Sequence, residues 1–143
     1  MKVAEWIAGH PGLPVTVAPE ATLDELVERL VETPGVRDLY VVEGGRVIGH
    51  LSHRRLAHLL LAEHRPVHTR RQLMERVVGG TARELMNVHF PHVPPEEALV
   101  NVLHRALELD VEDLAVVDAD HRLLGRVNLS AVLRDYRGLL EEG

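Results

Sequence analysis

The 143-residue chain contains no cysteine. Disulfides and thiolate chemistry are therefore excluded, which suits a reducing compartment. Aromatic residues are scarce: one tryptophan, two tyrosines and one phenylalanine. A platform on which successive nucleic-acid bases stack cannot be built from so few rings. Long apolar runs are also missing. The longest aliphatic run, Leu59 to Ala62, is far short of the roughly 20 residues that span a bilayer. The opening MKVAEWIAGHPG has no apolar core of a signal peptide. A soluble, cytoplasmic protein is expected, with no membrane partner.

Motifs of catalysis are absent as well. There is no nucleophile elbow, no P-loop and no dinucleotide-binding glycine fingerprint. No HExxH helix or Cys/His ligand set is present, so no catalytic or metal residues are assigned and no enzyme activity is expected. The ten histidines read as scattered and solvated. The net charge of −6 argues against nucleic acid as a partner.

What is present is uneven charge and repetition. Between Arg46 and Arg76 lie seven arginines, two glutamates and five of the ten histidines. This stretch is basic while the rest of the chain is acidic. The length fits one compact domain or two small modules sharing a core.

The repetition organises everything else. Thr22-Leu-Asp-Glu25 reads as a capping box, in which hydroxyl and carboxylate satisfy free helix N–H groups. Leu23, Leu26, Val27, Leu30 and Val31 then form one apolar stripe of a helix, and Pro34-Gly35 stops it. Leu39 to Val42 reads as a strand, Glu43-Gly44-Gly45-Arg46 as a hairpin turn, and Arg46 to Leu51 as the return strand. Ser52 caps a helix running to about His64. The pattern restarts at Thr81-Ala-Arg-Glu84, a second capping box. Leu99, Val102, Leu103, Ala106 and Leu107 repeat the stripe. Leu114 to Val117 and Arg122 to Val127 repeat the hairpin, and Asn128 caps a last helix to about Leu140. Pro19, Glu20, Leu23, Arg29 and Glu32 recur 76 residues later; Val36, Asp38, Leu39, Val41 and Val42 recur 75 later; Arg46 and Gly49 recur 76 later. A single repeat would leave an apolar sheet face bare, so two are expected to bury theirs against each other.

The duplicated lead-ins VAEWI and ARELM, the Pro-Glu turns, and the hairpins LYVVEGGRVIG and LAVVDADHRLLG resemble the CBS (cystathionine-β-synthase-type) domain pair, or Bateman module. The resemblance covers nearly the whole chain. It implies an α/β fold: tandem βαββα repeats with pseudo-twofold symmetry, small sheets face to face and helices outside. Residues 1–64 would form repeat 1, 65–80 a linker, and 81–143 repeat 2.

The resemblance further implies a stand-alone regulatory protein. It would bind an adenine nucleotide (AMP, ADP or ATP), S-adenosylmethionine or another anionic metabolite between the repeats, form a homodimer, and signal to a protein partner. The other reading is a ligand-free dimerisation module. The family's ligand corner reads glycine, two apolar residues, a hydroxyl residue facing phosphate, two residues, then a ribose-holding aspartate. Here the corners are Gly49-His50-Leu51-Ser52-His53-Arg54-Arg55 and Gly125-Arg126-Val127-Asn128-Leu129-Ser130-Ala131. Ser52 fits the hydroxyl position, Asn128 replaces it in the second copy, and Arg55 and Ala131 stand where the acids belong. Ser52, His53 and Arg55 are candidate anion contacts, with Asn128 and Thr16 as further candidates. Both Ser52 and Asn128 also suit a plain helix cap. Tyr40 either lines the cleft and stacks on a ligand or fills the cleft.

Overall fold

The computed structural model describes residues 1–63 and 80–135. The expected end of the last helix near Leu140, and nearly all of the expected linker, lie outside the described residues.

Two α/β units alternate in the expected order. The first comprises α1 (Val3–Gly9), β1 (Thr16–Val17), α2 (Leu23–Glu32), β2 (Asp38–Glu43), β3 (Arg46–Ser52) and α3 (His53–Glu63). The second comprises α4 (Ala82–Leu85), β4 (His92–Val93), α5 (Leu99–Leu109), β5 (Asp113–Val117), β6 (Leu123–Asn128) and α6 (Leu129–Arg134). Each unit holds a three-stranded sheet, ordered β1-β2-β3 and β4-β5-β6. The first pair in each is parallel and the second is an antiparallel hairpin. Even the β-bulges recur, at Val41/Val42 and Val116/Val117.

The two units meet about a pseudo-twofold axis that passes between the hairpin tips. Arg46 and Arg122 face each other in an antiparallel bridge. The Val47 N–H donates to the His121 carbonyl at 2.9 Å, and the Leu123 N–H donates to the Gly45 carbonyl at 3.1 Å. These are the same bond made twice, once by each repeat. Gly45 and His121 both hold positive φ, 80° and 63°, so the bridge demands left-handed backbone at each tip. Glycine adopts it without cost, and His121 is one of the few other residues found there.

The apolar pattern predicts the helix stripes, and the tertiary structure selects what each covers. Leu26, Leu39, Val41, Leu51 and Leu56 form the core of the first unit. Leu99, Val102, Leu114, Val116 and Val132 form that of the second. A third cluster, Tyr40, Val47, Ala115 and Val117, closes the seam between the sheets.

The lead-ins are exchanged. Val3 and Trp6 of α1 belong to the second core, and Ala82 of α4 belongs to the first. The backbone bonding is reciprocal: Val3 and Ala4 N–H groups donate to Glu97 and Pro95, while Ala82 and Arg83 donate to Ala21 and Pro19. This arrangement corrects one expectation. Thr81 makes no side-chain cap. Carbonyls of the other unit take the Ala82 and Arg83 N–H groups, and the Glu84 N–H that the box would bond donates to the Thr81 carbonyl at 3.0 Å. Half of the Thr22 box forms, with the Thr22 hydroxyl accepting from the Glu25 N–H at 3.3 Å. Its glutamate takes the Thr22 hydroxyl rather than the backbone.

The exchange also explains the corner glycines. A Cβ on Gly49 would sit 2.6 Å from Cγ of Met86, in the lead-in lying on β3. On Gly125 it would sit 3.1 Å from Cγ2 of Ile7. Each glycine lets the other unit's lead-in approach the sheet closely.

Candidate functional site

The two strand-to-helix corners carry the candidate chemistry. Their hydrogen bonding is alike at two positions and different at the third. At the first helical residue, the His53 N–H donates to the Arg37 carbonyl at 2.7 Å, and the Leu129 N–H donates to the Glu112 carbonyl at 2.9 Å. At the third, the Arg55 N–H donates to the Ser52 hydroxyl at 3.0 Å, and the Ala131 N–H to Asn128 Oδ1 at 2.9 Å. Ser52 and Asn128 are therefore both caps. The second residue differs. The Ser130 N–H donates to Glu112 Oε1 at 3.2 Å, and the Ser130 hydroxyl donates to the same oxygen. The Arg54 N–H has no acceptor among the described residues. Position 37, the counterpart of Glu112, is an arginine.

The second corner is thus filled by its own carboxylate. A helix N-terminus concentrates partial positive charge and free N–H groups, and Glu112 supplies the complementary anion. Asn128 is equally committed, its Nδ2 donating to Asp113 Oδ1 at 2.8 Å. Asp113 is buried, and burial pushes its carboxyl above the ordinary carboxylate range. The Asn128 hydrogen bond and the Arg126 guanidinium at 3.7 Å offset that only in part.

The first corner opens instead onto a cavity of about 430 Å³, within the range of small-ligand sites. Its lining combines Arg37, His50, Ser52, His53 and Arg54 with the acids Asp38, Asp110 and Glu112 and the apolar Ala106, Leu107, Leu109, Val111 and Leu129. Asn87, His89 and Pro91 also line it. Arg37 makes no ion pair among the described residues, and Arg54 faces only the exposed Asp110, at 4.0 Å.

A buried relay joins this cavity to the second unit. His50 Nε2 meets Asp38 Oδ1 at 2.8 Å. The other Asp38 oxygen accepts the Glu112 and Asp113 N–H groups, each at 3.1 Å. The Tyr40 hydroxyl donates to the Asp113 carbonyl. Burial, then the Asp38 charge, hold that hydroxyl well above the usual tyrosine range, so it remains a donor. Among the described residues, Asp113 makes no matching bond back to the first unit's corner.

Of the residues singled out from sequence, Ser52 and His53 line the cavity. Arg55 does not; its Nε donates toward the Leu85 carbonyl at 3.5 Å. Asn128 is a cap in the other corner. Thr16 pairs with Tyr40 in the sheet and is away from the cavity. Tyr40 is fully buried: of its two readings, it fills the seam rather than lining the cleft. Arg37 was missed, although the 75-residue register that pairs it with Glu112 was in plain view. Arg54 and His50 sit in the basic stretch, but only the fold separates them from Arg55. Among the described residues, no three histidine or acidic side chains converge to hold a metal, and no helix is long and apolar enough to cross a membrane.

Comparison with known proteins agrees with this architecture. The family model for the CBS domain matches twice, at residues 14–62 and 82–138. The solved structure of CBSX2 in complex with AMP is 27% identical, with 90% of each chain covered and a TM-score of 0.72. A CBS domain-containing protein from Thermotoga maritima is 24% identical, covered over 96% of each chain at 0.72. The CBS pair of protein MJ0100, in complex with 5-methylthioadenosine and S-adenosyl-L-methionine, is 18% identical over 96% of this chain and 97% of that one, at 0.69. No protein of curated function matches. With both repeats matched by the family model and the pseudo-twofold pairing evident, the chain belongs to the CBS-domain family as a tandem pair.

Proposed function

We propose that this CBS pair is a non-enzymatic, cytoplasmic regulatory module. It binds an anionic metabolite, foremost an adenine nucleotide or S-adenosylmethionine, in the cavity beside the first corner, and a protein partner reads the bound state. The observation that carries this reading is the contrast at the second helical residue. Glu112 occupies the anion seat of α6. The equivalent seat of α3 has an N–H with no acceptor among the described residues, an arginine in place of the glutamate, and the cavity in front of it. The AMP held by the 27% identical CBSX2 supports nucleotide as the ligand class. Without an acid at position 55 or 131, the ribose must be held differently, so simple anions belong in the panel.

The test swaps one corner into the other. Arg37→Glu should place a carboxylate on the Arg54 N–H as Glu112 does on Ser130. Wild type should rise by several degrees in thermal shift with at least one of AMP, ADP, ATP, S-adenosylmethionine or sulfate, since saturation at 100 times Kd adds about 2.7 kcal/mol. Arg37→Glu should fold normally and bind that ligand at least tenfold more weakly. Equal binding by both proteins rejects the assignment.

The second reading, a ligand-free dimerisation module, has its own observation. Val31 on α2 and Leu107 on α5 are repeat equivalents, and both are exposed, at 74% and 69%. Leu61 and Leu133 are exposed on α3 and α6. Such apolar surface suits a homodimer. Failure of every ligand, with a dimer by sedimentation, would select this reading.

A further inference from the structure

Two features of His50 go beyond the caps and arginines of the first corner. The ring is buried to all but 8%, yet it lines the cavity. One ring nitrogen is fixed: Nε2 lies 2.8 Å from Asp38 Oδ1. Asp38 is itself held as an acceptor, because its second oxygen takes two backbone N–H groups from the other repeat. A carboxylate so placed fixes the histidine tautomer with the proton on Nε2. The nitrogen left for a ligand is Nδ1, and no described side chain or carbonyl takes it. A neutral His50 therefore presents a lone pair, which repels an anion. A second proton must go to Nδ1, where it becomes a donor and adds positive charge beside Arg37 and Arg54.

We infer that His50 makes anion binding in this cavity proton-linked, with affinity rising as pH falls. The inference rests on the cavity being an anion site. Other groups facing His50 do not duplicate this role. Asp38 is its fixed partner on β2. Tyr40, with its ring 5.0 Å away, is a neutral donor to Asp113. Asn87 pairs with His50 through backbone alone. His53 and Arg54 on α3, Arg37 before β2, and Asp110 and Glu112 at the end of α5 are half-buried or exposed. His89, on the segment after α4, is exposed too. His53 and His89 line the same cavity, so the control is His104, on α5 and outside it.

The probe is sulfate, whose charge does not change across the range used. Calorimetry from pH 8 to 5.5 should show the wild-type Kd tightening by up to about tenfold per pH unit, the ceiling for one linked proton. His50→Gln keeps a donor for Asp38 but cannot titrate, and should lose most of that slope. His104→Gln, on an exposed position of α5 outside the cavity, should keep it. Nitrogen-15 spectra of wild-type His50 should show Nε2 protonated throughout, Nδ1 titrating, and sulfate shifting that titration upward. The same slope in His50→Gln as in wild type, or a sulfate-insensitive His50 resonance, overturns the inference. Binding that is tight but independent of pH removes His50 while leaving the cavity's assignment intact. No sulfate binding at any pH removes both, unless a nucleotide still binds, in which case AMP replaces sulfate and the His50→Gln comparison decides.

Discussion

The N-termini of α3 and α6 are one piece of chain used twice, and they have been put to opposite uses. Both begin with a polar cap and a bond from the first helical N–H to a carbonyl of the preceding corner. In the second copy a glutamate turns back and saturates the helix start. In the first, arginine takes its place and a cavity remains. One residue ahead of the hairpin thus decides whether the helix start is filled by the chain's own carboxylate or faces a cavity. The motif residues Ser52 and Asn128 do the same capping job in both corners. The residue that separates the corners, Arg37 or Glu112, lies before the hairpin.

The seam shows the same asymmetry. Tyr40 and Asp38 of the first repeat reach into the second, and Ala115 and Asp113 do not reciprocate. Tyr40→Ala makes the two strands alike at this position and should have the largest effect. Truncating a fully buried ring costs about 3–5 kcal/mol, read by urea denaturation. A loss below about 1 kcal/mol would mean the seam does not depend on this ring.

The corner glycines provide a graded version of the comparison. Gly49→Ala would bring its Cβ to 2.6 Å from Met86 Cγ and 2.9 Å from Met86 Cβ, whereas Gly125→Ala would meet Ile7 Cγ2 and Cβ at the looser 3.1 and 3.2 Å. The first should cost about 1–3 kcal/mol by overpacking and the second clearly less. Equal losses would show that the two lead-ins are equally tight.

The smallest effect is expected at Asp113. Its carboxyl is raised by burial, so the folded state takes up a proton more readily than the unfolded chain. The stability from that group is present at low pH and is lost as pH rises through its raised value. Asp113→Asn keeps an acceptor for Asn128 and should raise Tm at pH 7. The gain should shrink toward pH 4. A constant difference across that range would refute the burial argument.

Much of the fold was legible because its signals are local. The stripe Leu23 to Val31, the glycine hairpin at Gly44-Gly45 and the Ser52 and Asn128 caps each depend on residues a few positions apart. The duplication then implied pairing about an axis, which the Arg46–Arg122 bridge realises. The Thr81 capping box was not legible in the same way. Its sequence is sound, but docking on Pro19 and Ala21 sets the start of α4 so that the Glu84 N–H donates to the Thr81 carbonyl and not to its hydroxyl. Arg55 failed to reach the cavity for a similar reason. Helical geometry turns it toward Leu85, and α4's presence there follows from the lead-in exchange.

The amino-acid sequence by itself determined the two-repeat α/β architecture, the places of caps and turns, and the basic character of the first corner. These follow from periodicity and short-range hydrogen bonding, which need no partner. The tertiary structure alone decided which lead-in covers which sheet, that Tyr40 fills the seam, and that Arg37, His50 and Arg54 share a cavity. Those outcomes depend on contacts between residues from 12 positions apart, as Asp38 with His50, to more than 90, as Val3 with Glu97. No local pattern encodes them, because each is settled by what the other repeat brings to the same place.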